Sequence, residues 1–210
     1  MSEISITKGK RAGTTYHRDP KRNLIPSNDQ YKMTIKQLSE SSQYTTMMAI
    51  RLGCELGMSR IEIVNAEVNN IGRNHTRGLW VDVAKKVRRG NKFVMRSREI
   101  PININLYNLL KMGYIDEDNK YIIKREREKS GMIPLTPLHI NFLYQRAGVP
   151  WSTHKSRHYF KNRLMDWMRA NRVVDVGLIK ELMGHKKTID ENYGSISWDY
   201  KLDVIDKVFV

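Results

Sequence analysis

The chain has only one cysteine, Cys54, among its 210 residues, and it has no long run of uncharged apolar residues. One cysteine excludes an internal disulfide and a cysteine-rich zinc site. We expect Cys54 to be a buried, unreactive thiol, because apolar residues surround it at helical spacing. No stretch approaches the roughly 18–20 apolar residues of a membrane helix, and the first residues lack the apolar run of a secretory signal. These absences predict a soluble, cytoplasmic protein without a membrane partner.

Acidic residues are also scarce relative to basic ones. The chain has 22 Asp and Glu against 37 Lys and Arg, a formal net charge of +15. Such an excess is typical of polyanion binders, because Lys and Arg neutralise phosphates and release their counterions. Charge therefore predicts a nucleic-acid partner without distinguishing DNA from RNA. A ribosomal-type structural protein, or a charge that serves only solubility, is the alternative.

The apolar pattern changes along the chain. Residues 1–22 are polar and basic without sustained periodicity, so we expect a flexible basic arm that can lie along phosphates. From residue 24 to residue 64, apolar residues recur at helical spacing and predict three helices, with breaks near Ser41 and Gly57. Ser59 is the predicted N-cap of the third helix. Residues 23–210 are expected to form one domain.

Beyond these helices the period falls to two, which predicts strands over residues 79–83 and 93–102. The turn-forming Arg89-Gly90-Asn91 separates them, so we expect an antiparallel hairpin, with residues 121–123 as a short third strand. Four more helices are predicted over residues 135–147, 153–170, 174–183 and 198–208. The predicted fold class is α+β, a mostly helical core with a small antiparallel sheet.

Residue types that act on phosphates occur in the C-terminal third. On the helix predicted over residues 153–170, His154 and Arg157 are three residues apart and share one face. A Gly184-His185 pair follows, and Tyr193 stands eight residues after His185. Taken singly, each feature also suits a structural role, as a helix histidine beside a solvated arginine, a helix C-cap, or one of ten tyrosines.

The order of these features resembles the signature of tyrosine recombinases and phage integrases. That signature is H-x-x-R-H-x-F, then L-G-H, then a tyrosine. The matching residues here are His154, Arg157, His158, Phe160, Met183-Gly184-His185 and Tyr193. The resemblance extends over residues 24–205. It implies the catalytic domain of that family. The separate N-terminal domain that clamps DNA in the family is expected to be missing, removed or supplied by something else.

The predicted hairpin is similar to the one in which this family carries a catalytic lysine. Lys85 fits best by its distance from the start of the strand, and Lys86 and Lys92 are the alternatives.

The first arginine box of the family, Gly-x-Arg with an acidic residue three positions beyond the arginine, fits less well. After Gly57, the arginine comes one position late, at Arg60, and only two residues before Glu62. Counting back three from Glu62 gives Ser59, which cannot do the work of an arginine. We take Arg60 as the first catalytic arginine, with Arg51 as the alternative.

By this resemblance the protein is an enzyme that cleaves and rejoins DNA strands without a metal or another cofactor. The nucleophile is Tyr193, whose phenol, with an ordinary pKa of about 10, needs help at neutral pH. Arg60 and Arg157 would neutralise the phosphate in the transition state. His154 and His185 would donate hydrogen bonds or take the tyrosine proton, and Lys85 would protonate the departing 5′ oxygen. The product is a 3′-phosphotyrosine link that a free 5′ hydroxyl can reseal.

The partner implied by the resemblance is double-stranded DNA, bound by a tetramer of the protein in the nucleoid, while the need for accessory proteins stays open. The tail, residues 197–210, could dock on a neighbouring subunit or fold back on its own core. The predicted DNA contacts are the basic residues near the motifs: Lys86, Arg88, Arg89, Lys92, Lys155, Lys186 and Lys187.

Three other functions remain alternatives. A type IB topoisomerase would use similar tyrosine chemistry without a partner strand. A catalytically impaired DNA-binding protein could keep the same fold, and the irregular first box favours it. An RNA-binding protein would explain the charge alone.

Overall fold

A computed structural model describes residues 2–5, 15–18, 24–86, 93–114, 119–123, 135–184 and 196–210. Near the N-terminus, strands β1 (Ser2–Ser5) and β2 (Thr15–Arg18) pair antiparallel. Residues 1–22, which we predicted to be a flexible arm, thus include a short hairpin. Its main-chain pairing needs no apolar periodicity, which was the signal that the prediction used.

Three helices follow as predicted: α1 (Asn28–Glu40), α2 (Tyr44–Glu55) and α3 (Arg60–Val64). Helix α1 begins with a capping box, in which the Ser27 amide donates to Gln30 Oε1 at 2.9 Å and the Gln30 amide donates to Ser27 Oγ at 3.2 Å. Ser59 is the N-cap of α3, as its position before the apolar run predicted. Cys54 is fully buried, which confirms that prediction, and burial raises the pKa of its thiol.

The predicted hairpin is confirmed. It consists of β3 (Gly78–Lys86) and β4 (Phe93–Pro101), paired antiparallel from Gly78 opposite Pro101 to Lys86 opposite Phe93. The predicted third strand is wrong, because Tyr121 forms one isolated antiparallel bridge with Glu67 and no ladder extends from it within the described residues. Two main-chain hydrogen bonds close this bridge, from the Val68 amide to the Lys120 carbonyl and from the Ile122 amide to the Ala66 carbonyl, each at 2.9 Å. Ile122 and Ile123 lie in a loop, yet their side chains are buried in the core. This apolar segment therefore contributes to the core without belonging to a sheet.

The remaining helices are α4 (Ile104–Leu109), which widens into the turn Leu110–Tyr114, α5 (Pro137–Arg146), α6 (Thr153–Ala170), α7 (Val176–Leu182) and α8 (Trp198–Phe209). Of the two positions predicted for the tail, the structure has α8 folded back on its own core, with Val204 and Ile205 fully buried. Within the described ranges, no helix combines the length and the apolar character needed to cross a membrane.

The buried apolar side chains form two clusters that meet along α6. The first cluster joins α1, α2, α3, the β3–β4 hairpin and α5, and it ends at Tyr159. The second joins the rest of α6 with α7 and α8, and it begins at Phe160. Arg157 lies one helical turn or less from both residues. The candidate site therefore lies where the two clusters meet.

Candidate functional site

A buried carboxylate, Glu62, lies at the centre of this junction, with its side chain 4% exposed. Its Oε1 accepts a hydrogen bond from Arg98 Nε at 2.7 Å, and its Oε2 accepts from Arg157 Nη1 at 3.1 Å and from the Ser59 amide at 2.6 Å. Burial opposes ionisation, but the charge of Arg98 and the hydrogen bonds lower the pKa of Glu62 to about 2. Glu62 is therefore ionised at neutral pH and links two guanidinium groups.

Arg157 connects three segments of the chain. Besides its bond to Glu62, its Nη1 donates to the Gly57 carbonyl at 2.7 Å, and its Nη2 donates to the Met183 carbonyl. Burial lowers the pKa of Arg157, and the like charge of Arg98 acts in the same direction, whereas Glu62 opposes both. The His-x-x-Arg helix is thus joined to the Gly57 turn and to the residue directly before Gly184-His185.

Arg98, on β4, is the other guanidinium bound to Glu62. Its Nη1 donates to the Leu182 carbonyl at the end of α7. Its Nη2 is buried and has no hydrogen-bond partner within the part of the chain that the structure describes. The side chain runs along Gly184, where an added Cβ would lie 2.6 Å from Arg98 Cδ. Gly184 has φ +62°, so glycine both permits this turn and leaves room for the arginine.

The first turns of α6 carry two histidines in contact. His154 is exposed, and its Nε2 lies 3.0 Å from Nε2 of His158, with the two rings edge to face. One ring nitrogen must donate and the other accept, so at least one of these two nitrogens is unprotonated. Burial lowers the pKa of His158, and the charges of His154 and Lys155 lower it further. His154 and Arg157 lie three residues apart on this helix, as predicted.

Arg60 occupies the first position of α3 and is exposed. It makes no hydrogen bond or ion pair with any other residue among those described. The alternative, Arg51, is bound to Glu55 through two contacts of 2.7 and 3.2 Å, and Glu55 also accepts from Tyr31. Arg51 is thus part of a network that links α1 and α2 through Glu55. Arg60 stays a prediction.

No family model matches the sequence, and no curated protein does so either. Solved structures do match. The Tn1549 transposon integrase, in complex with circular intermediate DNA, aligns with a TM-score of 0.56 at 17% identity, over 87% of this chain and 64% of that one. The catalytic core of lambda integrase aligns with a TM-score of 0.51 at 17% identity, over 77% of this chain and 91% of that core. The chain has the tyrosine recombinase catalytic fold.

A third similar structure is that of XerA recombinase, with a TM-score of 0.53, 17% identity and coverage of 90% of this chain. The chain spans 60% of the XerA chain and 64% of the Tn1549 integrase chain, which is less than two thirds of each. These similarities confirm the fold that the resemblance implied.

Several predicted residues of the recombinase-like site lie outside what the structure describes. Lys85 and Lys86 are the last two residues of β3, and only their backbone positions are described. Of the predicted DNA contacts, Lys155 is described, half-buried on α6. Outside the described residues lie Arg88, Arg89, Lys92, His185, Lys186, Lys187 and Tyr193. Within the described ranges, no group of three or more His, Cys, Asp or Glu residues could hold a metal ion.

Sequence reasoning missed Arg98, although one signal could have identified it. In the recombinase-like hairpin, Arg98 is directly opposite Val81, and its neighbour two residues on, Ile100, is opposite Leu79. Val81, Leu79 and Ile100 are all buried. Because side chains alternate between faces along a strand, Arg98 is a charged residue at a core-facing position, and such a position requires a buried partner.

Proposed function

We propose that this chain is the catalytic part of a site-specific recombinase that cleaves and rejoins duplex DNA through a covalent link to Tyr193. The observation that carries the proposal is the hydrogen bond from Arg157 to the Met183 carbonyl, because it joins the His-x-x-Arg helix to the segment directly before Gly184-His185. The fold supports it too, since the similar Tn1549 integrase was solved with circular intermediate DNA.

The proposed step is a transfer of one phosphoryl group. The Tyr193 oxygen forms a bond to the phosphorus, and the bond from phosphorus to the 5′ oxygen breaks. His154 or His185 takes the phenol proton, and Lys85 gives a proton to the departing oxygen. Arg157 and a second guanidinium neutralise the non-bridging oxygens. The spacing of the first arginine box in the sequence indicates Arg60 as the second. Resealing reverses these transfers with a 5′ hydroxyl from another strand.

Four copies are proposed to act together on the DNA. Lambda integrase, to which the chain is similar with a TM-score of 0.52 at 16% identity, was solved as a tetramer bound to a Holliday junction. The excess of positive charge supports binding to the phosphates of the duplex. Because α8 packs on the core of its own subunit, we propose that it stays packed there in the oligomer and does not dock on a neighbouring subunit.

The test is the capture of a covalent protein–DNA adduct. The probe is a pool of labelled duplexes with randomised sequence, each carrying one nick, so that cleavage near the nick releases a short fragment and prevents resealing. Wild-type protein is expected to form an adduct that survives denaturing electrophoresis, and Tyr193→Phe is expected to form none. The recovered DNA is sequenced and provides one defined substrate.

Several outcomes would contradict the proposal. Equal adduct formation by wild type and Tyr193→Phe would exclude Tyr193 as the nucleophile. Sequence-selective binding without any adduct would indicate a catalytically impaired DNA-binding protein. Relaxation of supercoiled DNA without joining of two sites would indicate a topoisomerase. A preference for double-stranded RNA over the selected duplex would indicate an RNA-binding protein.

A further inference from the structure

Arg98 and Arg157 form a pair around one carboxylate. Arg98 Nε binds one oxygen of Glu62 at 2.7 Å, and Arg157 Nη1 binds the other at 3.1 Å. The outer nitrogens of the two arginines donate to consecutive carbonyls, those of Leu182 and Met183. Two guanidiniums, one from β4 and one from α6, therefore meet at the end of α7, directly before Gly184-His185.

The two arginines together keep a net positive charge and N–H groups that make no hydrogen bond within the described residues. Two guanidiniums against one carboxylate leave a net charge of +1. Each guanidinium has five N–H groups. Within the described residues, Arg98 donates two hydrogen bonds and its Nη2 is unpaired, whereas Arg157 donates three. Their side chains are 14% and 13% exposed, so a small part of each remains accessible to solvent.

In the part of the chain that the structure describes, Arg60 has free donors, but it makes no hydrogen bond or ion pair with Glu62 or Arg157. It lies exposed at the start of α3, whereas Glu62, two residues later, points to the interior and is bound by the other two arginines. At the position three residues before Glu62, Ser59 donates its backbone amide to Oε2 and has no positive charge to offer. Oε1 accepts from Arg98, which is the cation on that side of Glu62.

We propose that Arg98, and not Arg60, is the second guanidinium that binds the scissile phosphate beside Arg157. This inference rests on the proposed function. As the bond from Tyr193 to phosphorus forms, negative charge builds on the two non-bridging oxygens. Planar guanidiniums can each donate two parallel N–H groups to such oxygens, which an ammonium cannot do.

The test compares two forms of the defined duplex, one with the natural phosphodiester and one with a neutral methylphosphonate at the cleaved position. Arg98→Ala is expected to slow adduct formation about 100- to 1000-fold on the phosphodiester. On the methylphosphonate, which carries no charge for a guanidinium to neutralise, the loss is expected to be less than about tenfold. Arg157→Ala should behave in the same way.

Three further variants separate catalysis from folding and from general charge. Arg98→Lys keeps the charge beside Glu62 and should fold, yet it should still lose rate because its ammonium cannot fork. Arg96→Ala removes an exposed arginine from the same strand and should react like wild type. Arg60→Ala should lose far less rate than Arg98→Ala. Circular dichroism reports whether each variant is folded.

The proposal is overturned if Arg98→Ala reacts normally, if Arg60→Ala carries the larger loss, or if Arg98→Ala loses equally on both substrates. Equal losses would mean that Arg98 only positions Glu62. An inactive wild type would instead refute the proposed function. In that case the binding of inorganic phosphate, measured as a shift in Tm, tests whether Arg98 binds an anion. Inorganic phosphate should raise the Tm of wild type and Arg96→Ala more than that of Arg98→Ala. Equal shifts in all three would overturn the proposal.

Discussion

Replacing Glu62 by glutamine is expected to destabilise the protein strongly at neutral pH. The substitution keeps the size of the side chain but removes the negative charge between Arg98 and Arg157, both of which are largely buried. Folding lowers the pKa of Glu62 from 4.5 to about 2. Each unit corresponds to about 1.4 kcal/mol, so the ionised carboxylate contributes roughly 3 kcal/mol to the free energy of unfolding at pH 7.

The same shift predicts how this contribution depends on pH. Because folding lowers the pKa, the stabilisation is complete above pH 4.5 and is lost as the pH falls toward 2. At pH 4 the wild type should have lost about 0.8 kcal/mol that Glu62→Gln cannot lose. The stability gap between the two proteins should therefore narrow from roughly 3 to a little over 2 kcal/mol.

Urea unfolding followed by circular dichroism at pH 7 and pH 4 measures this gap. Glu40→Gln is the control, because Glu40 is 64% exposed and its contact with Lys36 is 3.8 Å long. That variant should differ from wild type by less than about 0.5 kcal/mol. A gap below about 1 kcal/mol for Glu62→Gln at pH 7, or one that widens at pH 4, would refute the assignment of Glu62 as the ionised centre of the site.

Two other predictions concern the framework that holds the site. Gly57→Ala should lower the free energy of unfolding by more than about 2 kcal/mol, because Gly57 has φ +61° and an added Cβ would lie 2.5 Å from Phe160. Gly148 has φ +66° and nothing lies within 4 Å of an added Cβ, so Gly148→Ala should lower the free energy of unfolding by about half as much in the same urea assay. Equal losses for the two variants would contradict the role of Phe160. A double-mutant cycle on Arg77 and Asp206, paired at 2.9 and 2.8 Å, should give a coupling energy of about 1 kcal/mol, and no coupling would mean that this pair does not hold α8.

The helices and the hairpin were predictable because their signals are local. Apolar spacing identified α1 to α3 and α5 to α8, and alternation identified β3 and β4. The failure at residues 121–123 has a physical cause. A short apolar segment can be buried whether it lies in a strand or in a loop. Only the residues with which its main chain pairs distinguish a strand from a loop. Those partners lie far away in the sequence.

The candidate site was predictable only in part for a related reason. His154 and Arg157 could be placed together because a helix relates residues that are three apart. Glu62 and Arg98 are separated by 36 residues, and their ion pair depends on how the hairpin packs against α3. Spacing within a motif therefore led to Arg60, the arginine nearest in sequence, while the chain offers Arg98, the arginine nearest in space to Glu62.

The irregular first box can be understood from the needs of Glu62 itself. Its amide contact with Ser59 and its place in the first turn of α3 keep it buried, where an ionised carboxylate without a cation would be very costly. Arg157 supplies one such cation at Oε2, and because serine stands where an arginine would otherwise be, Oε1 is left for a second cation. Arg98 satisfies this requirement from the core-facing side of β4. A missing arginine beside a retained buried carboxylate is thus a reason to search neighbouring strands for its replacement before concluding that the site is inactive.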